Sequence, residues 1–157
     1  MERLDRPRAV SSNILLVEDD ASVRLVLDRI LRRSGYDVTV AVDAVQAMEL
    51  AEATRSNGSF DLAILNVMLP PPGSTAVVEV LRQVMQPLRV LVISGYDEPS
   101  VLRSGLIDAL TREARYQFLQ KPFELTLLLD SVEKLLDSDS DVLEIAVAES
   151  DGDAAPG

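Results

Sequence analysis

The sequence predicts a single α/β domain: five parallel strands in one sheet, with helices on both of its faces. Three observations lead there. Short β-branched runs alternate five times with longer segments of helical period. The strand-like runs are almost continuously apolar, which suits strands buried on both faces. At 157 residues, the chain is long enough for one domain whose folding removes roughly 70% of its unfolded surface from water.

Each element has its own reason. Asn13 to Val17 reads as the first strand, and Ala21 to Ser34 as the first helix, with Val23, Val26, Leu27, Ile30 and Leu31 on an apolar stripe and Arg24, Asp28, Arg29 and Arg32 opposite. Gly35 ends that helix, as a glycine just past the last turn should. Val38 to Ala41 is a second strand, and Asp43 with Gln46 resembles a capping box that opens a helix running to about Arg55. After the Asn57-Gly58-Ser59 turn comes strand three, Leu62 to Asn66, then a rigid proline loop and a third helix from Thr75 to Met85. Leu88 to Ile93 is the fourth strand. Pro99 suits the start of a fourth helix, Tyr116 to Leu119 is the fifth strand, and Leu125 to Leu136 the fifth helix. Residues 1–12 read as a flexible leader before the domain of residues 13–137. Residues 138–157 read as an acidic, mostly disordered tail, in which Val142-Leu143-Glu144-Ile145-Ala146-Val147 is apolar enough to dock on the domain or on a partner.

Composition excludes several functions. Lysine and arginine number 15 against 26 acids, a formal net charge of −11. Such a chain repels nucleic acid and anionic membranes, whose binding rests on cationic contacts. With no histidine and no cysteine, it has neither a serine-histidine triad nor a thiolate or imidazole metal site. No signal peptide or membrane span is expected, and a soluble cytoplasmic protein is.

In an open parallel sheet, functional groups gather beyond the carboxyl ends of the strands. Strand one there ends in Glu18-Asp19-Asp20, strand three in Asn66, strand four in Ser94 and strand five in Gln120-Lys121. An acidic cluster suits Mg²⁺, which prefers hard oxygen ligands. A hydroxyl and an ammonium suit the oxygens of a phosphoryl group. Each residue also has a plainer reading: the acids as a helix cap, with Asp20 the capping residue, Lys121 as a solvated lysine, and Ser94 as a turn serine. Their joint occurrence at successive strand ends favours a phosphoryl-transfer pocket.

On these residues the chain resembles a response-regulator receiver domain of two-component signalling, over residues 13–137. The resemblance implies a flavodoxin-like fold with sheet order 2-1-3-4-5. It places the acidic pair on Glu18 and Asp19, the switch hydroxyl on Ser94, the lysine on Lys121 and the switch aromatic on Phe118, though an aromatic in an edge strand is often plain core. It implies Mg²⁺ bound by Glu18, Asp19, the residue at position 66 and the Met68 backbone carbonyl. It also implies a histidine kinase, a phosphotransfer protein or another signalling protein as partner. A homodimer would use the face of helix four, strand five and helix five, where Leu127 is expected to be exposed. The phrases Ser94-Gly95-Tyr96 and Phe118-Leu119-Gln120-Lys121-Pro122-Phe123 are similar to receivers of hybrid histidine kinases.

The chain departs from the family pattern at its centre. Asn66 stands where the family has the aspartate that accepts the phosphoryl group. A neutral carboxamide is a far poorer nucleophile than a carboxylate, and the pocket loses one formal negative charge, so both phosphorylation and Mg²⁺ binding should weaken. Two readings follow: a non-phosphorylatable receiver that acts as a partner-binding module, or an ordinary acceptor receiver whose aspartate was deliberately replaced. An enzyme on the same fold is disfavoured, since there is no glycine-rich phosphate loop. The segment between Ser94 and Lys121 is also longer than usual, around Asp108 to Arg115.

Overall fold

A computed structural model of the chain describes residues 12–95, 105–106, 110 and 115–137. Among them are five strands and four helices: β1 (Asn13–Val17), α1 (Ala21–Arg33), β2 (Asp37–Ala41), α2 (Ala44–Asn57), β3 (Leu62–Asn66), α3 (Gly73–Val84), β4 (Arg89–Ser94), β5 (Arg115–Gln120) and α4 (Leu125–Asp137). The sheet is parallel throughout, in the order β2-β1-β3-β4-β5. The helix expected near Pro99, the reshaped segment around Asp108 to Arg115, the leader and the tail lie wholly or largely outside the described residues.

Alternation along the strands builds two cores. Leu15, Val17, Ala63, Leu65, Val90, Val92, Tyr116 and Phe118 point to one side and pack with α2, α3, Leu106 and Leu110. Their neighbours Ile14, Leu16, Leu62, Ile64, Leu91, Ile93 and Leu119 point to the other and pack with α1 and α4. This is the period-2 geometry of a strand with both faces covered, and it accounts for β3 being buried along its whole length.

Helix ends follow the chemistry read in the sequence. The Asp20 carboxylate caps α1, accepting from the Ser22 and Val23 N–H groups at 2.9 and 3.2 Å. Asp43 accepts from the Gln46 N–H, while Gln46 Oε1 accepts from the Val42 N–H, both at 2.8 Å. Gly35 takes a φ of +98°, a left-handed conformation that favours glycine. The α3 helix starts two residues earlier than expected, at Gly73, and in its first turn the Ser74 hydroxyl donates to the Asn66 carbonyl at 2.7 Å and to the Val67 carbonyl.

Two apolar assignments are corrected. Val26, placed on the buried stripe of α1, is 49% exposed, because the helix buries only a narrow line through Leu27 and Leu31. Leu127, expected to be exposed, is half-buried against the core beneath α4, and it is Leu125 that faces outward. No helix among the described residues is long and apolar enough to cross a membrane.

Candidate functional site

Register alone gathers the polar residues at one edge of the sheet. Val17 pairs with Leu65, Leu65 with Val92 and Val92 with Phe118, so the next positions, Glu18 and Asn66, leave the sheet side by side. Asn66 pairs with Ile93, which puts Ser94 one step beyond it, and Lys121 follows Gln120, the partner of Ser94. The Lys121 N–H donates to the Ser94 carbonyl at 2.7 Å and the Val67 N–H to the Ile93 carbonyl at 2.9 Å, extending the ladder into the loops.

Asn66 is at the centre of the site. Its Nδ2 donates to Glu18 Oε2 at 3.0 Å and to Asp19 Oδ1 at 3.1 Å, while its Oδ1 accepts from the Met68 N–H at 3.2 Å. One amide therefore ties together both acidic residues and the loop after β3. Glu18 is fully enclosed, and its oxygens are shared among three donors. Oε2 also accepts from the Asp20 N–H at 3.0 Å, and Oε1 faces Lys121 Nζ at 3.4 Å. The Glu18 carbonyl takes an Arg24 guanidinium N–H at 2.8 Å. A buried carboxylate is stable only when paired and hydrogen-bonded in this way.

Glu18, Asp19, Asn66 and Lys121 are thus joined by direct contacts. Ser94 lies at the same edge and is fully buried. Met68 enters through its N–H on Asn66. Phe118 is not in the pocket: it sits one row back and fully buried, in the core with Val92, Leu106 and Leu110. Asp20 is committed to its cap, and Asp61 is at the opposite end of β3, where its Oδ2 accepts from the Asn13 N–H at 2.7 Å. Sequence reading missed Ser74. A serine after a glycine in a proline loop carries no distinguishing signal, yet its buried hydroxyl fastens α3 to the backbone of the site.

No group of three or more acidic, histidine or cysteine side chains among the described residues is arranged to hold a metal. The two carboxylates nearest the pocket converge on the hydrogens of an amide, where a metal ion would require oxygen lone pairs.

Comparison with known proteins agrees with the geometry. The response regulator receiver domain family matches residues 14–133. The chain is similar to the sensor kinase CckA of Brucella abortus, 32% identical over 127 residues, which cover 81% of this chain and 13% of that protein. It is similar to the response regulator MprA of Mycobacterium ulcerans, 36% identical over 127 residues, covering 81% of this chain and 51% of that one. It therefore spans only part of these relatives' length. Among solved structures, the receiver domain of the hybrid histidine kinase CckA superposes with a TM-score of 0.63 at 30% identity, covering 80% of this chain and 99% of that one. With a family match over most of its length and the sheet order β2-β1-β3-β4-β5, the chain belongs to the response-regulator receiver domains of two-component signalling.

Proposed function

We propose that this receiver signals by binding a partner, and that its acceptor position does not take a phosphoryl group. The hydrogen bonding of Asn66 carries the reading. Transfer from a phosphohistidine requires an anionic carboxylate oxygen to form the acyl phosphate as the histidine leaves. Asn66 offers a neutral carboxamide oxygen that is already engaged by the Met68 N–H, and its amino group is spent on Glu18 and Asp19.

The same contacts support weakened Mg²⁺ binding. An aspartate at position 66 would bring a third carboxylate up to Glu18 and Asp19, and their mutual repulsion would call for a cation. The amide supplies two hydrogens instead, one to each carboxylate, so the pocket closes without a metal. Receiver domains meet histidine kinases or phosphotransfer proteins, and we infer that such a partner, or another signalling protein, recognises this chain by shape and charge. Ser94 and Phe118 then serve as a buried link whose arrangement is selected by partner binding. The β5 and α4 face is the surface we assign to a second copy of the chain.

Incubation with Mg²⁺ and acetyl phosphate tests the reading through the intact mass. The chain should be unchanged, while Asn66→Asp should gain one acid- and base-labile phosphoryl group. Labelling of the unsubstituted chain would overturn the proposal.

A further inference from the structure

Beside the pocket lies a feature that phosphate chemistry does not explain. Ser22, Val23, Val26 and Leu27 of α1 form one wall of an open groove of about 540 Å³, and Lys121, Pro122, Phe123 and Leu125 form the other. Its apolar rim is exposed: Val26 is 49% and Leu125 39% accessible. The groove presents apolar side chains on both walls, a surface that an apolar segment can cover. We propose that its occupant is the chain's own tail, through Val142-Leu143-Glu144-Ile145-Ala146-Val147.

Reach supports this choice. The α1 and α4 helices pack on the same side of a wholly parallel sheet, so both run back against the strands and end at the same edge. The tail therefore leaves Asp137 at the end of the groove opposite to Leu125. The α4 helix has 13 residues, about 20 Å at 1.5 Å per residue. An extended chain of about 3.3 Å per residue starting from Asp137 reaches roughly 16 Å at Val142 and roughly 33 Å at Val147. The apolar hexad thus brackets the distance back to Val26, Phe123 and Leu125.

Charge supports the same path. In a chain of net charge −11, α1 carries Arg24, Arg29, Arg32 and Arg33 against the single acid Asp28, whereas α4 carries Asp130, Glu133 and Asp137 against Lys134, so an acidic segment favours the α1 wall. Arg33 lies in its last turn, at the edge where the tail departs, next to Arg32, which pairs with Asp28 and donates to the Val38 carbonyl, each at 2.7 Å. The first tail residues are Ser138-Asp139-Ser140-Asp141, so on the proposed path the acidic stretch would pass the basic end of α1 before the apolar hexad reached the apolar end of the groove. Tethering raises the local concentration of the segment to the millimolar range, so weak intrinsic affinity is enough. A docked hexad would cover the groove next to Lys121 and compete with any partner approaching the carboxyl edge of the sheet from this side. The inference concerns surface access and does not depend on how Asn66 behaves.

The chain has no cysteine, so Ala148→Cys gives a single site for a spin label just past the hexad. In the full chain, amide signals of Val26, Phe123 and Leu125 should lose most of their intensity, while those of Val45 and Met48 on the other side of the sheet should keep theirs. Adding Leu143→Asp and Ile145→Asp should restore the lost intensity. The label-bearing chain without ¹⁵N, mixed with unlabelled ¹⁵N chain, should leave the groove signals intact. Loss of signal in that mixture would make a second copy the occupant and overturn the proposal. Unchanged groove signals in the singly labelled chain would overturn it too.

Discussion

The pocket and the groove share Lys121 as a border, yet they differ in what they leave unsatisfied. In the pocket, Asn66, Glu18 and Lys121 satisfy one another, and the acidic pair is held by an amide. In the groove, Val26 and Leu125 face outward with their apolar surface exposed. On the function proposed above, a receiver that no longer takes phosphate keeps a means of recognition in the apolar surface that adjoins its pocket.

Substitutions in the two regions should differ in cost, and the greatest loss belongs to the core behind the pocket. Phe118→Ala removes a fully buried ring and should cost about 3–5 kcal/mol, measured by urea unfolding. Loss near zero would place Phe118 outside the core that supports β5. Next, Asn66→Ala leaves Glu18 Oε2 and Asp19 without their shared donor, and about 1–3 kcal/mol of stability should go with it. Ser74→Ala should cost about 1 kcal/mol, since one hydroxyl donor to two carbonyls is lost; an unchanged unfolding midpoint would show that the hydroxyl does not anchor α3. Smallest is Val26→Asp, a surface change that should stay within about 0.5 kcal/mol in stability. A large loss there would mean that the groove belongs to the core and is no docking surface.

Much of this architecture was legible in the sequence because its signals are local. The strands declare themselves through apolar runs, and Asp20 and Asp43 announce their helices because a cap acts within three residues. The site residues could be listed from strand ends, since parallel register brings those ends to one edge. What could not be read depends on side-chain direction. Val26 and Leu127 are each apolar in a helical period, and only the packing of α1 and α4 decides which is covered. Ser74 was hidden because its partners are backbone carbonyls eight and seven residues away. The double donation by Asn66 was hidden for the same reason: its acceptors are 47 and 48 residues distant in sequence.

In the proposed function, the Asn66 amide does for Glu18 and Asp19 what a cation would do for three carboxylates. Thermal unfolding of the chain and of Asn66→Asp, each with and without Mg²⁺, distinguishes the two. The unsubstituted chain should keep its midpoint as Mg²⁺ is added. Asn66→Asp should start lower and rise with Mg²⁺, by about 2.7 kcal/mol when the ion reaches a hundred times its dissociation constant. Equal stabilisation of both proteins by Mg²⁺ would contradict the account, because the amide would then be one more metal ligand and not a substitute for the metal.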